Sequence, residues 1–197
     1  MPSRAVGRPP VRETTEALRR AAEAIMEDEG FSRLTVGGLV KAAGTTRPTF
    51  YRRYASTAHV AFDVIAHRFG DGNPVDTGSL DGDILQLQRE EVEMFSTALV
   101  RKNLPGLLEV VRTDPAVREM FQSHFILPRR ANVGDVVAAG AARGEVPPAS
   151  PDAVEVVCDL LLGPILARAL LPIGQPLDGS LAVETTRVAL AYLRGRC

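Results

Sequence analysis

Seven side chains in one nine-residue stretch, Thr45, Thr46, Arg47, Thr49, Tyr51, Arg52 and Arg53, offer hydroxyl and guanidinium donors and no acid or base to go with them. Hydroxyls make single hydrogen bonds to phosphate oxygens or base edges. An arginine fork matches the paired acceptors of guanine or a phosphate. Such a set holds a polyanion; it does not make or break bonds. Nothing elsewhere supplies the missing reactivity, because the chain has no Gly-rich phosphate loop, no GxSxG, no HExxH and no clustered carboxylates apart from helix surfaces. An enzyme with an all-helical body is the reading this disfavours.

The elements that must position these residues are legible around them. Thr35 is an N-cap before Val36, Leu39 and Val40, an apolar face two turns long that Gly44 ends. Thr46 is the next N-cap, its hydroxyl placed to accept from the Thr49 N–H, and Pro48 sits early enough to need no donor. The segment 35–54 is therefore a helix, a tight turn and a short second helix over 47–54, a helix-turn-helix whose second helix protrudes far enough to enter a major groove. A preceding helix from Glu13 carries Leu18, Ala22 and Ile25 at helical spacing and stops at Gly30, with Phe31 packing back on it. A fourth helix after Ser56 carries Val60, Ala61, Val64, Ile65 and Phe69. Gly37 and Gly38 are unusual inside the second helix, where each costs about 1 kcal/mol relative to alanine.

The order AA, GF, TV, AAG, TFYRRY between about residues 14 and 69 resembles the TetR family of bacterial regulators. LPRR at 127–130, ARGEV at 142–146 and DLLLGPI at 159–165 are similar to one branch of its helical body. The resemblance implies a helix-turn-helix head on a larger body that dimerises and usually binds a small ligand. It implies phosphate contacts from Thr35 and Tyr51 and base reading by Arg47 and Thr49; Arg52 and Arg53 read, from their charge alone, as contacts to the nucleic-acid backbone. Family members often carry a phosphate-gripping lysine early in the fourth helix; here Thr57 follows Ser56, so that contact is missing.

Charge is distributed as this expects. The net charge is −1, yet residues 1–70 hold 11 Lys+Arg against 7 Asp+Glu and residues 71–197 hold 12 against 17, a basic head on an acidic body. Arg4, Arg8 and Arg12 punctuate a proline-stiffened arm over residues 1–12, a segment able to lie along a minor groove. No apolar run is long enough for a membrane span and no apolar segment follows the N-terminal arginines, so the expected location is cytoplasmic, on the bacterial nucleoid when bound to operator. Cys158 reads as core and Cys197 as tail, with no zinc spacing. His59, Asp63 and His67 share a helical face but lack a fourth ligand; they read as a polar stripe, with no metal and no cofactor expected.

Beyond a linker at 70–83, rich in Gly, Pro and Asp, helices are expected at about 83–101, 104–112, 115–143, 151–171 and 179–195. The fold class is all-α: a three-helix head at 13–70 joined to a helical bundle at 71–197, about nine helices in all. Met94, Phe95, Met120, Phe121, His124, Phe125, Cys158 and Leu162 are the expected pocket for a small apolar effector, with His124 its polar handle. The apolar arcs of the last two helices are too wide for one neighbour, so Val157, Leu161, Ile165, Leu181, Thr185, Val188 and Tyr192 are expected to meet a second copy. Two-fold symmetry would set the recognition helices roughly 34 Å apart on palindromic double-stranded DNA. A helical sensor or dimerisation module with impaired DNA binding, and an activator instead of a repressor, are the alternatives left open.

Overall fold

The computed structural model describes residues 11–70, 75–171 and 174–195, and among these every regular element is helical. The chain divides into two compact units, Met1–His67 and Arg68–Cys197. The division falls inside the fourth helix and not at the expected residue 70.

The first unit contains α1 (Val11–Asp28), a 3₁₀ turn (Phe31–Arg33), α2 (Val36–Ala42), α3 (Arg47–Tyr51) and most of α4 (Thr57–Phe69). Leu18, Ala22 and Met26 stack at four-residue intervals on the buried face of α1, joined by Leu39, Phe50, Val60, Ala61 and Val64. Met26 takes the place expected for Ile25, which is half-buried. Because α1 starts at Val11, Arg12 is an exposed residue of its first turn and not part of an arm. Arg4, Arg8 and Cys197 lie outside the described residues. Tyr54 Oη donates to Asp63 Oδ2 at 2.5 Å, and Arg19 stands 3.8 Å from the same oxygen. Asp63 thus serves the internal structure of the head.

The second unit holds α5 (Leu80–Ser96), α6 (Ala98–Thr113), α7 (Pro115–Phe121), a π-helical turn (Gln122–Ile126), α8 (Leu127–Ala142), α9 (Pro151–Leu170) and α10 (Gly179–Arg194). As α7, the π turn and α8 run on without a break, the described residues form nine continuous helical rods. The core centres on α5: Leu80, Ile84 and Leu87 pack with Val136 and Val137 of α8, Val157 and Leu161 of α9, and Ala189, Leu190 and Leu193 of α10. At Gly140 a Cβ would stand 3.0 Å from the Leu80 side chain, so α8 approaches α5 as closely as it does only with glycine there.

Two boundaries differ from expectation. Helix α5 starts at Leu80 and not at residue 83, because the Ser79 hydroxyl accepts from the Gly82 N–H; Asp83, placed in the linker from its type, is 1% exposed. The next break falls at Thr97, whose extended backbone and side chain cap α6, whereas Pro105 lies inside α6. The break was expected at 102–103; instead a threonine able to satisfy the Val100 N–H ends one helix and opens the next.

Asp83 anchors the start of α5. Its carboxylate accepts the Thr77 N–H at 2.5 Å, the Thr77 hydroxyl at 2.8 Å and Arg143 Nη2 at 2.9 Å, while Glu145 accepts the Leu80 N–H at 2.7 Å. Burial pushes the Asp83 pKa up, but the Thr77 hydrogen bonds and the Arg143 guanidinium outweigh it and hold the group below the usual carboxylate value. A depressed native pKa stabilises the fold above the unfolded pKa of about 3.9 and loses that effect as pH falls through the native value. Because Arg143 is partly exposed, we expect Asp83→Asn to cost about 2 kcal/mol near neutral pH, below the full effect of breaking a buried pair. Urea denaturation should show the gap between wild type and variant closing as pH falls below the unfolded value of about 3.9; a gap independent of pH would remove the charge from this account.

Candidate nucleic-acid interface and body cavity

Between α2 and α3 the chain turns through Gly44 at φ 61°, with the Thr45 N–H donating to the Val40 carbonyl at 2.9 Å and the Gly44 N–H to that of Lys41 at 3.4 Å. This is a Schellman closure, and a side chain at Gly44 would be strained by its left-handed backbone. Both expected N-caps are present. Thr35 Oγ1 accepts the Gly38 N–H at 3.1 Å, and Thr46 Oγ1 accepts the Thr49 N–H at 3.4 Å.

Helix α3 is one turn shorter than expected, ending at Tyr51, with Arg52 and Arg53 in the turn beyond it. Phe50 points inward and is fully buried; the Tyr51 ring meets its edge with centroids 5.4 Å apart and remains 56% exposed. Arg47 is exposed, as are Thr35, Thr46 and Arg52, whereas Thr45 and Thr49 are half-buried. The Thr49 hydroxyl is the hub of the group, bonded to Thr46 Oγ1 at 3.0 Å and to Arg52 Nη2 at 2.8 Å. Arg53 departs from the others. Its Nε donates to Thr15 Oγ1 at 3.0 Å and its Nη1 to the Thr49 carbonyl at 3.2 Å, so it ties α3 to α1.

A Cβ at Gly37 would make ordinary contact, 3.4 Å, with the Arg47 guanidinium, whereas one at Gly38 would crowd Thr35 Oγ1 at 3.2 Å. Gly38 thus leaves room for the N-cap, where sequence reasoning saw only a helix-propensity cost. Lys41, exposed in the last turn of α2, adds a cation that the sequence reading passed over; its place directly before the turn was the available signal.

In the body, a cavity of about 190 Å³ opens among α5, α6, α7, the π turn, α8 and α9. Phe95, Phe121, Phe125, Cys158 and Leu162 line it, as expected of five of the eight residues named from sequence. Met94, Met120 and His124 do not. Met94 is buried with its sulfur 3.6 Å from Arg129 Nη2. His124 is exposed, its Nδ1 2.8 Å from Ser123 Oγ and 3.2 Å from the Met120 carbonyl. Phe121 and Phe125 take the cavity side of this segment and Met120 and His124 the side next to it, and a π turn spans Gln122–Ile126, where Pro128 has no N–H for the His124 carbonyl. Arg129 Nη1 then donates to the Phe125 carbonyl at 3.1 Å.

The polar groups of the cavity are Gln88, Glu90, Glu91, Arg129, Arg130 and Asn132. Arg129 Nε pairs with Glu91 Oε1 at 2.9 Å, its Nη2 reaches the Gly70 carbonyl at 2.9 Å, and its guanidinium lies 3.9 Å above the Phe125 ring. Burial pushes the Glu91 carboxyl above its ordinary range, Arg129 opposes the rise, and Glu90 adds to it. Burial also raises the Cys158 thiol to about 11, so this cysteine is an unreactive wall of the cavity.

The expected dimer contacts need correction. Val157, Leu161, Ile165, Leu181 and Thr185 are 5% exposed or less and pack inside the protomer. They occupy the inner sides of α9 and α10, since the wide apolar arcs were read without knowing which side α5 covers. The outward side presents Val156, Leu170, Val183 and Val188, each between 37% and 47% exposed, and Tyr192 is half-buried.

Residues 74–189 match the family model for the tetracyclin repressor-like C-terminal domain, and residues 18–64 match that of the tetR family of bacterial regulatory proteins. The uncharacterized HTH-type transcriptional regulator YdeS of Bacillus subtilis is 28% identical over 166 residues, 84% of this chain and 82% of its own. Among solved structures, the TetR family transcription regulator SCO0332 superposes with a TM-score of 0.72 at 22% identity over 94% of this chain and 99% of its own. A TetR transcription regulator from Haloarcula marismortui gives 0.71 at 16% identity over 93% and 98%. With both units matched and a helix-turn-helix built as described, this chain belongs to the TetR family and is a DNA-binding transcription regulator.

Proposed function

We propose that the protein is a homodimeric repressor whose hold on a palindromic operator is released by a small molecule bound in the body. The observation that carries this reading is the cavity itself. A concave, mainly apolar space of about 190 Å³ with a few convergent polar groups is the form a ligand site takes. Arg47, Thr49 and Tyr51 read or grip the operator, with Thr35, Thr45, Thr46 and Arg52 on the backbone; Arg53 acts by holding α3 in place. The dimer forms through the outward faces of α9 and α10. Regulation of transcription, without catalysis, is the whole activity, in the cytoplasm on operator DNA.

A ligand acts by binding one operator-binding state less well than the other, so effector and operator affinities must be coupled reciprocally. The test is operator binding, by fluorescence anisotropy on the upstream region of the protein's own gene, with and without small-molecule pools that raise its melting temperature. Release of DNA by a stabilising compound supports the reading; tighter binding would indicate the opposite regulatory sign. Stabilising compounds that leave operator binding unchanged would sink it. Within this scheme Arg47→Ala should weaken operator binding by about 1–3 kcal/mol and relax base preference at one position per half-site. Arg52→Ala should weaken all sequences evenly and reduce the salt slope by about one. An Arg47→Ala effect equal on every sequence would assign that residue to the backbone.

A further inference from the structure

We propose that the body cavity takes a small, mainly apolar cation, an aryl- or alkyl-substituted ammonium, whose charged end is received by Glu91 and Gln88. The proposal rests on the ligand-responsive reading above and names the chemistry of that ligand.

The inventory of hydrogen-bonding groups around the cavity leads to it. Gln88 is 2% exposed, and its Nε2 donates to the Leu161 carbonyl at 2.8 Å. That bond fixes which end of the amide is which, and it leaves Oε1, an acceptor, and the second N–H of Nε2 without a partner among the described residues. Glu91 stands one turn further along α5 on the same face. Its Oε1 takes Arg129 Nε, and its Oε2 likewise has no partner among the described residues. The cavity therefore presents two acceptor oxygens without protein donors, set among Phe95, Phe121 and Phe125.

The cavity's positive groups are already engaged. All three nitrogens of Arg129 have acceptors: Glu91, the Phe125 carbonyl and the Gly70 carbonyl. Both terminal nitrogens of Arg130 are engaged, Nη1 with Glu155 and Nη2 with Asp159. Counting these partners, four carboxylates, Glu90, Glu91, Glu155 and Asp159, stand against two guanidinium groups, so the local field favours a cation and opposes a carboxylate. Asn132 can donate or accept and leaves the balance unchanged. Aromatic faces add to the preference, since a ring quadrupole attracts positive charge. Size sets the body of the ligand: a cavity of ~150 Å³ holds a benzene ring, so about 190 Å³ holds a ring with a short side chain.

The probes are 2-phenylethylamine, 2-phenylethanol and phenylacetate, close in shape and different in charge at the same end. Calorimetry on the full chain near neutral pH should show the amine binding at least about tenfold more tightly than phenylacetate, the scale of one charge-assisted contact. Glu91→Gln, which keeps an acceptor for Arg129, should reduce that preference to about threefold or less and leave 2-phenylethanol within about twofold of its wild-type affinity. Phenylacetate binding as tightly as the amine to the wild-type protein, or a Glu91→Gln protein with its amine preference intact, would overturn the proposal. The wild-type comparison decides even if the variant folds poorly. Preference for the alcohol or the carboxylate, or binding by none of the three, overturns the charge assignment alone; the ligand-responsive reading stands or falls by the operator-release test above.

Discussion

Phe50→Ala is expected to destabilise the DNA-binding unit by about 3–5 kcal/mol, the cost of truncating a fully buried phenylalanine. Phe50 is 0% exposed, it meets Tyr51 and Tyr54 at ring-centroid distances of 5.4 and 5.8 Å, and it is the one buried residue of α3. A five-residue helix has no independent stability, because nucleating one turn costs more than its few hydrogen bonds return. Docking through Phe50 is what holds Arg47, Thr49 and Tyr51 in a shared frame. The variant should therefore lose operator binding while the body retains its own melting transition, which two-transition calorimetry with hydrogen exchange on residues 36–54 would check. Retention of wild-type operator affinity with a single unchanged transition would mean α3 is held by something other than this ring. Arg53 gives a milder version of the same effect: its bonds to Thr15 and the Thr49 carbonyl brace α3 from outside the core.

Val188→Asp is expected to weaken self-association by at least about 100-fold, because a carboxylate placed in a dry apolar interface without a partner costs several kcal/mol. Val188 is 43% exposed in the protomer, so the substitution leaves the subunit's own core intact, unlike any change at Leu181 or Thr185. Sedimentation over a micromolar range should show the proposed dimer for the wild type and monomer for the variant. Operator affinity should fall with it, since each monomer is left with one half-site. A dimer of unchanged affinity would move the interface off α10, and the neighbouring variant Val156→Asp then tests α9 separately.

What was legible in the sequence shares one physical character: it was local. The N-caps at Thr35 and Thr46, the stop at Gly44 and the Pro115 and Pro151 starts depend on hydrogen bonds spanning a few residues, so residue type and spacing determined them. The all-α class and the helix-turn-helix followed from these and from apolar periodicity, and with them the kind of partner. The structure alone decided how local elements face one another. Periodicity says that a helix has an apolar side; it does not say whether the protomer or a second copy covers it, which is why five expected interface residues proved to be core. Nor does it register a π turn, or say that His124 faces solvent while Gln88, Glu91 and Arg129 stand among the polar groups of the cavity. Those three come from α5 and α8, and two of their contacts span 38 and 73 positions along the chain. The donor-rich stretch at 45–53 was found by type and spacing, but tertiary packing separated its members: Arg47 and Tyr51 point to solvent, and Arg53 turns inward to Thr15, a partner 38 residues away that no local pattern could name.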